Sequence, residues 1–361
     1  MTDPTPRINL ADFETAAVRE LSQMVYDYYA GGAGDEVLLG TSRAAWNAIA
    51  LRYRVLRDVS QRSLACAILG QELSWPMFVA PMAFQQLAHP DGELATARAA
   101  GATGTGMILS TLSTTSIEDV RAACTGPLWF QLYIYRDREA SRALVQRAQA
   151  AGCDALVLTV DSPMLGRRER DIRNGFHVPA GTPVPNLTGG PRDTLAAQGA
   201  TASSLATFVE QHWDASISWR DLEWLQSITT LPILVKGIVR GDDAVLALDA
   251  GAAGVIVSNH GGRQLDTAIP TARALPEVAD AMAGRGTLLV DGGIRRGTDV
   301  LKALAMGANG VLLGRPVLWG LAADGETGAR QVLELLKDEC HLALGLAGCR
   351  TPMDLDRGFL A

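Results

Sequence analysis

The chain has 361 residues, 48% of them hydrophobic and 20% charged, an ordinary globular composition without a disordered signature. A net charge of −7 argues against a nucleic-acid partner, because phosphate binding needs a basic face. No run of about 18 apolar residues occurs, the charged start MTDPTPRINLADFE lacks the apolar stretch of a signal peptide, and the cysteines are scattered without C-x-x-C spacing. The expectation is a cytoplasmic protein with reduced thiols, no zinc site and no membrane partner.

Asn9 stands as a helix cap with Asp12 three residues on, and Leu10, Phe13, Ala17 and Leu21 follow at helical spacing. One opening helix is therefore expected to run toward Tyr26, Tyr28 and Tyr29. The glycines of AGGAGDE then favour a loop. From residue 75 onward short apolar runs recur: PMFVAP (76–81), MILST (107–111), LWFQLY (128–133) and ALVLTVD (155–161), then ILVKG, GVIVSN, TLLVDGG and GVLLGRP, starting at 233, 254, 287 and 310. Segments with helical patterning, such as REASRALVQRAQAAG and GDDAVLALDAGA, lie between most of them and close on glycine.

Continuous apolar strands separated by helices indicate a parallel sheet covered on both faces. Eight such units indicate a single α/β domain over 1–361, a (β/α)8 TIM barrel with an N-terminal helical segment. An open doubly wound sheet is the rival. AGGAGDEV and GATGTGMI, however, both miss the last glycine of its nucleotide fingerprint. Between Asp161 and Ile233 lies an insertion, with PAGTPVPNLTGGPRDTLAAQGATASS, too long for an ordinary connection. It is expected to form a lid at about 180–215.

In such barrels chemistry sits at the C-terminal strand ends. Those positions hold Ser110 and Thr111, Gln131 and Tyr133, Thr159 and Asp161, Lys236, and Ser258, Asn259 and His260. The last two runs lead into DGGIRRGTD and LGRP, glycine turns followed by Arg295, Arg296 and Arg315. Backbone amides with arginines suit a phosphorylated ligand; the alternative is that these glycines only close tight turns. Lys236, in a buried run, could form a Schiff base, pair with a carboxylate, or stabilise negative charge on a cofactor ring. His260 could be a general base or a satisfied core histidine. No second histidine lies at metal-ligand spacing, so a metal is not expected. As a base it needs an orienting carboxylate, and Asp161 is the candidate. Arg263 offers a fork for a substrate carboxylate, and Arg168 in RRERDIR a second one, the rest of that charge run being solvated surface.

Together these residues resemble the FMN-dependent 2-hydroxy acid oxidase and dehydrogenase family, which includes glycolate, lactate, mandelate and hydroxymandelate oxidases. SNHGGRQLD (258–266) matches its signature, and MVYDYYAGGAGDE, APMAFQQLAHPDGE, WFQLYIYRDR, LTVDSPMLGRRERDIRNGF, PILVKGI and DGGIRRGTDVLKALAMGA extend the match over essentially the whole chain. The resemblance implies FMN, with Gly293, Arg295, Gly314 and Arg315 around its phosphate and Asp291 on the ribityl chain. Ala80, Pro81, Ala83, Ser110, Gln131, Thr159 and Ser258 would border the ring, and Lys236 would stabilise its reduced form.

The resemblance further implies that Arg168 and Arg263, helped by Tyr28 and Tyr133, grip the substrate carboxylate. His260, oriented by Asp161, would take a proton, and dioxygen would be reduced to hydrogen peroxide. Leu112 stands where plant-type glycolate oxidases carry a tryptophan, and Leu165 would line the same pocket. L-lactate is therefore the expected substrate, with glycolate, (S)-mandelate or 4-hydroxymandelate, or another electron acceptor, as alternatives within the family. A homo-oligomer, tetramer or octamer, is expected. Asp266 is assigned to structure, as partner of a nearby arginine. Outside the family the rivals are a lyase using Lys236 as a Schiff base and a non-catalytic flavin-binding protein.

Overall fold

The computed structural model describes residues 6–187, 195 and 203–361. Asn9 and Asp12 form a reciprocal capping box at the start of α1 (Leu10–Glu20). The single opening helix expected from the apolar spacing is instead two. Leu21 is extended, and Ser22 caps α2 (Gln23–Ala30) by accepting from the Val25 N–H. A serine hydroxyl offers the backbone this alternative to continuing a helix, which apolar period alone does not register. After the glycine loop comes α3 (Val37–Asn47), whose first-turn amides at Val37 and Leu38 donate to Asp266. The partner of Asp266 is thus a helix N-terminus and not an arginine. Free amides and the positive helix end both favour a carboxylate there.

A hairpin of β1 (Cys66–Ile68) and β2 (Gln71–Leu73) precedes the eight apolar runs, which become eight parallel strands. They are β3 (Met77–Val79), β4 (Gly106–Leu109), β5 (Leu128–Leu132), β6 (Ala155–Thr159), β7 (Ile233–Ile238), β8 (Gly254–Val257), β9 (Thr287–Val290) and β10 (Gly310–Leu313). Each pairs with its successor, and β10 pairs back onto β3 to close the barrel. The connecting helices are α4 (Gly92–Thr103), α5 (Ile117–Ala123), α6 (Arg138–Ala150), the group α7 (Glu169–Arg173), α8 (Ser204–His212) and α9 (Trp219–Gln226), then α10 (Gly241–Asp249), α11 (Thr271–Met282) and α12 (Gly297–Ala305), with α13 (Arg315–Leu346) after β10. Residues 188–194 and 196–202, the middle of the segment expected as a lid, lie outside the described residues. Among the described residues no helix is long and apolar enough to cross a membrane.

Within the barrel, Phe78, Ile108, Trp129, Val157, Leu234, Ile256, Leu289 and Leu312, one from each strand, pack into one buried cluster. Ile68 and Leu73 of the hairpin join it, Ile68 lying against the first residue of β10. Full burial of each large apolar side chain contributes about 1.5–3 kcal/mol. Side chains alternate along a strand, so the residue two positions on faces inward again. At that level the chemistry changes: within the strands or one residue past their ends stand Ala80, Ser110, Gln131, Thr159, Lys236, Ser258, Asp291 and Gly314, six of them polar. An apolar floor is overlaid by a polar ring.

Candidate active site

A cavity opens above that ring. Its wall includes Tyr28, Ala80, Pro81, Ala83, Ser110, Leu112, Gln131, Tyr133, Thr159, Leu165, Arg168, Lys236, His260, Arg263, Asp291, Gly293, Arg295, Gly314 and Arg315. Asp161 and Ser258 stand behind the wall, each bonded to a residue on it.

Past β8 the chain turns through His260 (φ 55°), Gly261 (φ 61°) and Gly262 (φ 77°). Left-handed backbone is uncommon for a non-glycine residue and concentrates at functional sites. The turn sets His260 Nδ1 2.7 Å from Asp161 Oδ1, and Ser162 Oγ donates to the same carboxylate oxygen at 3.1 Å. With Nδ1–H directed at the carboxylate, Nε2 keeps the free lone pair. Burial pushes the imidazole pKa down; Asp161 raises it, Lys236 and Arg168 lower it, and the net is below the ordinary histidine range. Burial opposes ionisation of Asp161, yet the charge and hydrogen bond of His260, with Lys236, hold its carboxyl below the usual range. At a pH above the lowered imidazole value the pair is a neutral imidazole held by a carboxylate, the state a general base requires.

Gly237 makes room for this pair. A side chain there would meet Asp161 Cβ at 2.6 Å, and its φ of 113° is open to glycine. The β7–β8 register shifts at the same place, between Lys236 and Ile238. Lys236, 4% exposed, donates to Ser258 Oγ at 2.9 Å and pairs with Asp291 Oδ2 at 3.2 Å. Burial disfavours its charge, but Asp291 and Asp161 together raise its pKa. A protonated amine cannot attack a carbonyl, so this geometry speaks against a Schiff base.

Four arginines line the cavity, and backbone carbonyls are their main partners. Arg168 donates to the Arg263 carbonyl and to Gln264 Oε1, and Arg263 to the carbonyls of Tyr28, Tyr29 and Gly31. Arg295 donates to the Ile294 carbonyl, and Arg315 to those of Tyr29, Gly261 and Gly31. Burial and then Arg263 push Arg168 down to about 10; burial, followed by Arg263, Arg295 and Arg168, depresses Arg315 well below the usual arginine value. Crowded cations of this kind favour the entry of anions.

Tyr28 stacks on Phe176 with centroids 4.0 Å apart, and Tyr133 on Trp213 at 3.7 Å. Burial raises both phenols, which stay hydroxyl donors. Gln131 Oε1 accepts from the Thr111 N–H at 3.2 Å, which leaves Nε2 as the free end of the amide. Gln131 Nε2, Thr159 Oγ1 and Asp291 Oδ1 are all buried without a hydrogen-bond partner among the described residues.

Among the wall residues that the sequence does not point to are Met82, Ser162, Leu205, Trp213 and Gln264. Met82 lies between two residues that were assigned, so adjacency was the available signal. Leu205 lies in the first turn of α8 and Trp213 at its C-terminal cap, within the insertion, where no apolar run marks them.

A family model described as FMN-dependent dehydrogenase matches residues 17–361. An L-lactate oxidase of Nostoc sp. is 52% identical, over 100% of both chains. The glycolate oxidase of Spinacia oleracea is 48% identical, over 98% of this chain and 95% of its own. A crystal structure of mandelate oxidase with (S)-4-hydroxymandelic acid superposes with a TM-score of 0.95 at 44% identity, covering 98% of each chain.

Proposed function

The chain belongs to the FMN-dependent dehydrogenase family, and from that premise we propose that it oxidises a small L-2-hydroxy acid, L-lactate foremost, to the corresponding 2-oxo acid. The observation that carries this reading is the His260–Asp161 pair at 2.7 Å in the same mouth as two arginines bonded to carbonyls.

The residues suit FMN. Gln131 Nε2, Thr159 Oγ1 and Asp291 Oδ1 are buried polar atoms in want of partners, which the polar edge and ribityl hydroxyls of the cofactor would supply. In this reading Ala80, Pro81 and Ala83 border the ring, Ser110, Gln131 and Thr159 bond its edge, and Asp291 meets the ribityl chain. Lys236 places its charge beside the ring, with Ser258 holding the ammonium. Gly293, Arg295, Gly314 and Arg315 receive the phosphate.

Bound FMN supplies the two-electron acceptor. Arg168 and Arg263 hold the substrate carboxylate, and Tyr28 and Tyr133 donate hydroxyl hydrogen bonds to it. His260 Nε2 takes a proton from the substrate, and Asp161 stabilises the imidazolium that results. Dioxygen is the proposed final acceptor, giving hydrogen peroxide. Leu112, Leu165 and Trp213 offer apolar surface to the substituent on the alpha carbon, which favours a methyl group over hydrogen.

The purified protein should be yellow and release FMN on denaturation. Anaerobic L-lactate should bleach it faster than glycolate or mandelate, and admitted oxygen should restore the colour with formation of peroxide. A colourless protein, or one bleached by none of the three acids, overturns the reading; fastest bleaching by mandelate reassigns the substrate.

A further inference from the structure

We propose that α3 is a third wall of the phosphate subsite, beside the turns after β9 and β10, and that the Ser42 hydroxyl donates to the FMN phosphate, an assignment that rests on the FMN reading. The mouth cavity adjoins a smaller chamber, the two sharing Gly261, Gly293, Arg295 and Arg315, and the chamber is completed from α3 by Leu39, Ser42 and Arg43. Three guanidinium groups therefore surround it. That of Arg43 is met by Asp299 at 2.6 Å, whereas among the described residues those of Arg295 and Arg315 donate only to carbonyls.

Ser42 is 6% exposed, and its Oγ has no hydrogen-bond partner among the described residues. A helical hydroxyl ordinarily bonds the carbonyl one turn back, as the neighbouring Thr41 does to Val37 at 2.9 Å. Ser42 makes no such bond, and a buried donor without a partner is unfavourable. In a chamber lined by arginines, the partner that best satisfies it is an anionic oxygen.

α3 is also pressed against the turn that bears the subsite. Trp46 Nε1 donates to the Gly292 carbonyl at 2.7 Å, and Arg43 Nη1 to the Gly293 carbonyl at 3.4 Å. Gly293 has a φ of 87°, and a side chain on it would meet Trp46 Cδ1 at 2.8 Å and the Ser42 carbonyl oxygen at 3.0 Å. The turn is thus packed against the backbone of Ser42 too closely to admit a side chain, and its Gly292 and Gly293 carbonyls are engaged by α3 and need not face the anion.

The test compares FMN with riboflavin, which lacks the phosphate, by titrating each into apoprotein and following flavin fluorescence. Ser42→Ala should weaken FMN about tenfold or more and leave riboflavin unchanged. Ser42→Asp, which sets a carboxylate in the chamber, should weaken FMN further, again with riboflavin spared. Unaltered FMN affinity in Ser42→Ala overturns the proposal. An equal loss for both flavins also overturns it, because Ser42 would then serve only the packing of α3. Wild-type apoprotein that binds riboflavin and FMN equally well removes the phosphate subsite itself, and one that binds neither refutes the cofactor reading.

Discussion

On β5, Trp129 and Gln131 face the same barrel interior two positions apart. Trp129 is fully buried and its indole N–H donates to Gln71 of the hairpin at 2.9 Å, whereas Gln131 keeps Nε2 without a partner. The contrast holds around the ring. Towards the N-terminal end Phe78, Ile108 and Val157 pack against one another and the hairpin. Towards the C-terminal end Thr159, Asp161 and Asp291 each keep a buried polar atom without a partner among the described residues. One end is filled by apolar side chains; the other keeps buried polar atoms that have no partner among the described residues. The floor supplies the stability against which a polar, cationic mouth can be maintained.

Substitutions at the two ends should therefore fail in different ways. The largest effect belongs to His260→Gln, which should slow anaerobic flavin reduction by about 10² to 10⁴, with FMN content unchanged in the purified protein. Stopped-flow absorbance measures it, and an unaltered rate would remove the residue from its role. Trp129→Ala should do the opposite, lowering stability by about 3–5 kcal/mol in thermal or denaturant unfolding while the folded fraction keeps its ranking of substrates. A changed ranking would mean that floor and mouth are not separable.

Within the mouth, Arg263→Lys replaces a planar fork by a point charge and should lower kcat/KM by about 10- to 100-fold, chiefly through KM. Leu112→Trp should reduce activity on L-lactate relative to glycolate by roughly tenfold or more; an unchanged ratio would show that Leu112 does not bound the pocket. The smallest effect is one of pH. A protonated His260 cannot accept a proton, so the reduction rate should climb with pH as the imidazole loses its charge. Its midpoint should lie below the ordinary histidine range, because burial, with Lys236 and Arg168, outweighs Asp161. Asp161→Asn deletes the group that raises this pKa and should move the midpoint lower still; a rise contradicts the assignment.

Much of this architecture can be read in the linear chain, because strand and helix periods are local. Each apolar run became a strand, and at six of the eight a polar residue at or just past its C-terminal end became a member of the ring, since alternation along a strand makes every second residue face the same way. Local pattern also placed His260, Arg263 and the glycine turns at strand ends, where barrel chemistry resides.

Contacts between distant segments lay beyond that reach. The amides of Val37 and Leu38 meet Asp266 across more than two hundred residues, and nothing near Asp266 announces a helix N-terminus as its partner. The same is true of Trp213 on Tyr133, of Lys236 beside Asp291, and of Ser42 against the Gly293 turn. The break at Leu21 and Ser22 is different in kind, a local cap in which the Ser22 hydroxyl accepts from the amide three residues on. Periodicity encodes which face of an element is buried, so the chain alone sufficed for barrel and ring. Which side chain lies against which is decided by how the elements pack, and only the folded molecule contains that.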